Sequence, residues 1–513
     1  MKILTIPAYA FPEKVAGSHL TKDRNEAIIN SGIDIMVLVP TPCRGASEED
    51  IKKYSRIRWE SMYDGHLCIR RFRMFREGKN PIMRAARYSL CWLNQLFIPL
   101  FSSRYDMVLI GSTPPIQGLI GATLRKLRRM PYVYVLQDIF PDSLAGTGLA
   151  KRDGLLWKIG RVVENITYRN ADKIIVISDD FKKNIMAKGV PEEKIVVVYN
   201  WVDENAVVPI AKEDNTLYDE LGINREKFSV VYAGNFGHAQ NIDVTIAAAE
   251  RLKDVEDIQF LMFGTGGLVE DYKKIAQEKG LKNMFFFPLQ SVEKVSQVYS
   301  LGNLGIVACK KGLGKGAFPS KTWSIMSAGT PVIANYDEDT DLERLVKENG
   351  LGVFSAADDS EQMAERIMDM YNNRELCAEY GRNARQYILD NVSKEKSTQK
   401  YVDVIKEVVE ENRKKKRLVN RYLFQSFFVF IRPKASIQSK KPTAIFNTIP
   451  KKIDRLTSGY TSANAAPTAA EKRSFPHRIF SRAAYRARLK KIPSYKKFSA
   501  SAYSIYTVIS LSL

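Results

Sequence analysis

Cysteine is scarce and scattered. Five thiols in 513 residues, at Cys43, Cys68, Cys91, Cys309 and Cys377, share no paired spacing. Neither a disulfide framework nor a cysteine-bound zinc is expected, and the pattern suits a reducing compartment. Histidine numbers only four, with no HExxH among them, so no metal ion and no other cofactor is predicted. No apolar run approaches the ~20 residues that cross a bilayer. Lys2–Ile6 already reads as a strand, so no leader is expected. What remains, 45% apolar and 26% charged, is the balance of a globular protein with room for two or three cored domains.

Charge is distributed unevenly. The formal net charge is +21, yet residues 413–513 hold 23 Lys and Arg against two acids, Asp454 and Glu471, which leaves the body neutral as a whole. Within that body, residues 1–200 carry 31 basic and 20 acidic groups, and the imbalance reverses over 201–412. A basic half beside an acidic half points to two domains with different partners. From Arg413 the chain is rich in Ser, Ala, Lys and Pro and has no helical or strand period. Such composition does not form a core, so this tail is expected to be disordered. Its charge makes general adhesion to polyanions an alternative role, without a specific nucleic acid.

Both halves alternate short Val/Ile/Leu runs with helical patterns. The first half offers strands at Lys2–Ile6, Asp34–Val39, Leu67–Phe72, Asp106–Gly111, Tyr132–Gln137, Lys173–Ser178 and Ile195–Tyr199. The second offers Phe228–Ala233, Ile258–Phe263, Met284–Phe287, Leu304–Ala308, Pro331–Ala334 and Leu351–Phe354. Runs without polar alternation are strands covered on both faces, and helices between them imply parallel, doubly wound sheets. An α/β fold of two Rossmann-like domains facing across a cleft follows, with domains at 1–203 and 204–385, a closing helix at 386–412 and the tail at 413–513. Ligands of such sheets sit at the carboxyl ends of the strands, so the cleft is the expected working surface.

Three glycine-rich turns in the second half fall at strand ends. They are Val231–Gly237, with Gly234, Asn235 and Gly237; Leu261–Gly267, with Gly264 and Gly266; and the stretch Gly314–Ala334. In the last, Phe318, Pro319 and Ser320 lead into a short helix whose first turn carries Lys321. Ser320 is the expected N-cap, and the loop's amides with the Lys321 ammonium make a place for an anion. Gly17 and His19 follow the first strand at the opposite lip. Asp138 and Asp142 end the Tyr132–Gln137 strand, where a carboxylate can take a proton or bind a hydroxyl. Tyr88–Phe101 is apolar, too short to span, and preceded by arginines that include Arg84 and Arg87. It reads either as a buried helix with a basic face or as a segment pressed into an anionic membrane surface.

Four signatures carry a family resemblance: VLQDIFPDSLAGTG at 135–148, VVYNWVD at 197–203, VVYAGNFGHAQNID at 230–243 and FPSKTWSIMSAGTPVIA at 318–334. In order and spacing they resemble retaining glycosyltransferases of family 4, the GT-B type, and the WbuB/WcaI-like branch that builds bacterial surface polysaccharides. The resemblance implies a metal-independent transfer of a sugar, a hexosamine or deoxyhexosamine, from a nucleotide diphosphate-sugar to a lipid-pyrophosphate-linked acceptor. It further implies a cytoplasmic enzyme peripheral to the inner face of the plasma membrane. Two family features are missing. The usual glutamate pair falls on Gly316 and Ser324, and the usual Arg and Lys of the first glycine loop fall on Asn235 and Gln240. Lys321, with Lys311 or Lys315 nearby, is the candidate replacement for the lost cations. On this reading the donor rests on Gly17, Gly234, Asn235, Gly237, Gly264, Gly266, Phe318, Pro319, Ser320, Lys321 and, at the ribose, Glu343. Asp138, His19 and Lys321 are the catalytic candidates, and Asp142, Arg84 and Arg87 face the acceptor. A UDP-sugar 2-epimerase of the same architecture is the alternative enzyme.

Overall fold

The computed structural model describes residues 1–431 apart from 16, 78–79 and 144–153, and gives no side-chain description at 81, 82, 156 and 421–431. The first domain holds β1 (Lys2–Ile6), β2 (Asp34–Pro40), β3 (Trp59–Met62), β4 (Leu67–Phe72), β5 (Met107–Gly111), β6 (Tyr132–Leu136), β7 (Lys173–Val176) and β8 (Ile195–Val197). They lie in the order β3-β4-β2-β1-β5-β6-β7-β8. All neighbours are parallel except β3, which runs antiparallel to β4. This strand is absent from the expected set. Its Trp-Glu-Ser-Met sequence alternates at a sheet edge, so it lacks the continuous apolar run that betrays a covered strand.

Period two along β1 divides the core. Leu4 and Ile6 pack with Ile120, Leu124 and Tyr168 on one side of the sheet. Ile3 packs with Ile28, Val402 and Ile405 on the other. Those last two belong to the Lys394–Ile431 helix, so the chain leaves the second domain to cover the first one's sheet. That helix runs through Arg413–Arg417 without a break, past the composition change at 413. The expected disorder of the remaining tail, and the end of the 135–148 signature, lie outside the described residues.

The second domain contains β9 (Phe228–Asn235), β10 (Ile258–Thr265), β11 (Met284–Pro288), β12 (Leu304–Ala308), β13 (Val332–Tyr336) and β14 (Gly352–Ala356). Their order is β11-β10-β9-β12-β13-β14, every pair parallel. The order reverses between β9 and β12 here and between β1 and β5 in the first domain. Crevices open at such reversals, beyond the carboxyl ends of the strands. The Gly234 turn stands at one of them, with the Gly264 turn one strand away, and Gly17 follows the first strand of the other.

Candidate functional site

Strands β9 and β10 pair in register through Gly234 and Gly264, so their turns leave the sheet side by side. Phe236 fills the space between them, with its amide on the Thr265 carbonyl at 2.7 Å. A Cβ at Gly264 would fall 2.1 Å from the Phe236 ring, and one at Gly266 would fall 2.5 Å from the Phe236 carbonyl. Close approach requires glycine at both, and at Gly266 a φ of +146° requires it as well. The Lys310 amide donates to the Ala239 carbonyl at 3.1 Å, tying the chain before the third turn to the chain after the first. All three glycine turns therefore converge.

Lys321 closes this cluster. It opens the Lys321–Ser327 helix, and its Nζ lies 3.9 Å from the centre of the Tyr232 ring. A Cβ at Gly234, where φ is +152°, would stand 3.0 Å from that Nζ. The stem is partly exposed, but Nζ itself is closed off from water and has no hydrogen-bond partner. Burial of the ammonium pushes its pKa down to about 7. The Thr322 hydroxyl and Trp323 indole N–H are likewise buried without partners, so three successive residues carry unspent donors. Buried polar groups are almost always paired, so an unpaired Nζ beside the Gly234 turn stands out, whereas Thr322 and Trp323 lie in the core.

The sequence does not show what surrounds this lysine. Tyr232 reads as a core residue of an apolar strand, yet its ring faces the ammonium and its hydroxyl donates to the Asn235 carbonyl at 2.6 Å. Phe318 stacks on Trp323 at 4.7 Å and meets Tyr199 edge-on at 5.4 Å, which fixes the Phe318-Pro319 entry to the helix. Ser320 holds the N-cap position, but its side chain makes no capping bond. Two amides of the loop before it, Gly312 and Gly314, are taken by the Asp337 carboxylate at 2.9 and 2.8 Å. That loop is staked from within, and its amides are not all free for an anion as its glycines imply. Lys311 and Lys315 are exposed. Asn235 is exposed at the rim beside Gly237. Glu343 accepts from the Asp339 amide at 2.7 Å and from Lys347 at 2.6 Å, so it is bound up in the start of its own helix.

Across the cleft the two domains cap one another's helices. The Asp341 carboxylate accepts from the Asp179 amide at 2.9 Å, at the start of the Asp179–Ala187 helix. In return the Asp180 carboxylate accepts from the Asp341 amide at 2.7 Å and pairs with Arg344 at 2.9 Å. Tyr199 donates to Asp341 at 2.8 Å. Burial, with Asp179 and Asp180 close by, lifts the Asp341 carboxyl above the usual range.

The first-domain candidates are dispersed. Gly17, with φ +76°, is the left-handed N-cap of the Ser18–Asn30 helix, and His19 lies in its first turn. Asp138 follows β6, two strand spacings or about 10 Å from β1. Burial raises its pKa, against hydrogen bonds from Ser143 and the Ile139 amide. No contact joins Asp138, His19 and Lys321 among the described residues. Asp142 is committed elsewhere. Although burial pushes it up, Lys188 at 2.7 Å and Asn184 at 3.1 Å hold its carboxyl below the usual range. Arg84 is exposed and pairs with Glu77 at 3.0 Å.

Arg87 differs from the expectation most. It is buried, and it donates to the Phe75 carbonyl, to the Thr41 carbonyl at 3.3 Å and to the Cys43 sulfur at 3.0 Å. With every acceptor on the protein's own loops, it pins the loop after β2 to the chain after β4 and offers nothing to an acceptor. Arg87→Leu should lower stability by about 2–3 kcal/mol by stranding those acceptors, whereas Arg84→Ala should cost at most about 0.5 kcal/mol. Urea denaturation of the two variants checks the contrast.

Two facing Rossmann domains with glycine turns near a strand-order reversal make the GT-B architecture. Residues 214–387 match the family model described as Glycosyl transferases group 1, and residues 25–206 match that described as Glycosyltransferase Family 4. With both domains matched, the chain is a glycosyltransferase of this kind. WcaI of Escherichia coli (strain K12), named for colanic acid biosynthesis, is 28% identical over 318 residues, 60% of this chain and 77% of WcaI. WbjE of Pseudomonas aeruginosa, named as a glycosyltransferase, is 24% identical over 346 residues, 67% of this chain and 85% of WbjE. Among solved structures, Anabaena HepE in complex with UDP superposes with a TM-score of 0.59 at 18% identity, covering 79% of this chain and all of HepE.

Proposed function

We propose that this enzyme transfers a sugar, a hexosamine or deoxyhexosamine, from a nucleotide diphosphate-sugar to a lipid-pyrophosphate-linked acceptor during surface-polysaccharide synthesis, with retention of anomeric configuration. One observation carries the reading: the buried, unpartnered Lys321 ammonium set against Gly234 where three glycine turns meet. The relative named for colanic acid biosynthesis and the UDP complex of a structural neighbour support it. In the reaction the bond from the anomeric carbon to the diphosphate breaks, and its electron pair leaves with the diphosphate. Lys321 neutralises that growing charge in a site of low dielectric. The acceptor hydroxyl oxygen bonds to the anomeric carbon, and its proton passes to Asp138, whose raised pKa suits a base. Gly17 lets the first domain's loop approach the donor closely, and His19 stands beside it. The outer face of the Pro81–Phe101 helix rests on the inner membrane surface and brings the lipid-linked acceptor to the cleft.

Thermal unfolding in the presence of nucleotide diphosphates and their sugars tests the donor assignment. A nucleotide diphosphate at a hundred times its dissociation constant should add about 2.7 kcal/mol of stability, and adenosine or inorganic phosphate should add far less. A flat response across the whole panel defeats the reading. Consumption of nucleotide sugar without acceptor would instead support the epimerase.

A further inference from the structure

Helices Pro81–Phe101, Gly118–Arg128 and Leu155–Asn170 form one layer on the first sheet. The middle helix sits close in. A Cβ on Gly118 would lie 2.3 Å from Thr167, and one on Gly121 would lie 2.6 Å from the Tyr132 ring. The middle helix still exposes Leu127 at 68%, and the helices on either side have apolar outer faces. The first exposes Leu90, Leu93, Phe97 and Phe101, the last of these at 84%.

The Leu155–Asn170 helix is turned inside out. Leu155, Ile159, Val162 and Ile166, spaced four, three and four apart, make a single stripe, and all four are exposed, Leu155 at 78%. Its covered side carries Gly160, Glu164, Thr167 and Tyr168. A surface helix normally points its apolar stripe at the core. This one buries a carboxylate, matched by Lys188 at 2.8 Å, and offers its aliphatic side to the surroundings.

Charge selects the partner. Glu164 is the one carboxylate on the three helices, and it is buried, whereas Arg84, Lys126, Lys158 and Arg169 are exposed. A two-fold dimer through this face would set the same basic groups against themselves. An anionic bilayer takes both the aliphatic stripes and the cations. We propose that the three-helix layer docks on the headgroup–acyl boundary of an anionic bilayer, with Leu155–Asn170 as a second keel parallel in function to Pro81–Phe101. The inference deepens the membrane contact of the proposed function and rests on it. All three helices follow strands of the parallel sheet and so begin at its carboxyl edge, where the cleft opens. Lying flat on them places the cleft lip at the lipid surface, within reach of a lipid-linked acceptor.

Flotation of the full chain with vesicles of phosphatidylglycerol and phosphatidylcholine tests this, run at ~0.1 M and at ~0.5 M salt to screen adhesion of the basic tail. Wild type should float with the anionic vesicles. Ile159→Asp with Val162→Asp should weaken partition about tenfold or more at both salts, with the melting temperature and the UDP-induced stabilisation unchanged. If that variant floats as wild type while Leu93→Asp with Phe97→Asp does not, the second keel is refuted and the membrane contact of the first stands. If neither variant loses flotation, both readings fall. If the Ile159/Val162 variant instead turns a dimer into a monomer in light scattering without altering flotation, the face belongs to a second copy and the proposal is overturned.

Discussion

Lys321→Ala should lower kcat/KM for sugar transfer by about 10²- to 10³-fold and leave the melting temperature unchanged or slightly raised. The two halves of this expectation have one cause. An ammonium held out of water without a hydrogen-bond partner is costly to the folded protein, and among the described residues the Tyr232 ring at 3.9 Å is what offsets that cost. Removing it relieves the burial and leaves no partner stranded. The same desolvation strengthens its attraction for a diphosphate that enters the turns, and more so as charge builds on the leaving oxygens. Lys321→Arg should not rescue, because a planar guanidinium is too broad for the space between Tyr232 and the Gly234 backbone. Transfer from a nucleotide diphosphate-sugar to a lipid-pyrophosphate acceptor, measured beside a thermal melt, gives both numbers. Turnover near wild type in a folded Lys321→Ala protein would remove the central assignment.

Strands were the most legible part of this chain, because a parallel sheet covered on both faces writes each strand as an unbroken apolar run. β3 escaped for the complementary reason: four alternating residues at an edge need no such run. The glycine turns were legible as well, since close approach of β9 and β10 leaves no room for a side chain at Gly264 or Gly266. Charged residues were not. Sequence displays a guanidinium or a carboxylate but not what it touches, so Arg87 and Glu343 read as binding groups while the fold spends them on its own loops and helix starts. Asp337 and Asp341 show the converse. Neither stands out in the sequence, yet one stakes the loop before Lys321 and the other caps a helix of the opposite domain. Lys321 itself was visible as a cation after a glycine loop. Its burial was not, because that depends on Tyr232 and Gly234 arriving from a strand some ninety residues earlier.

Binding of a nucleotide diphosphate should weaken about tenfold for each pH unit above 7, until the pKa of Lys321 in the complex is reached. In the free enzyme burial has pushed that pKa down to about 7, so at pH 8 most molecules carry a neutral amine. On the proposed reading a diphosphate needs the ammonium, and its own charge would raise the lysine's pKa once bound. Each binding event above pH 7 therefore takes up a proton, and a raised pH opposes it. Unliganded stability should run the other way. The unfolded lysine keeps its proton up to its ordinary pKa near 10.4, so between about pH 7 and that value the unfolded state binds more protons and stability rises with pH. Isothermal titration of UDP into the enzyme in buffers of differing ionisation enthalpy reads the proton directly, with uptake approaching one per site near pH 8.5. In Lys321→Met, uptake should vanish and the affinity profile should flatten. If uptake in the variant equals that of wild type, the proton belongs to another group and Lys321 is not the cation that meets the diphosphate.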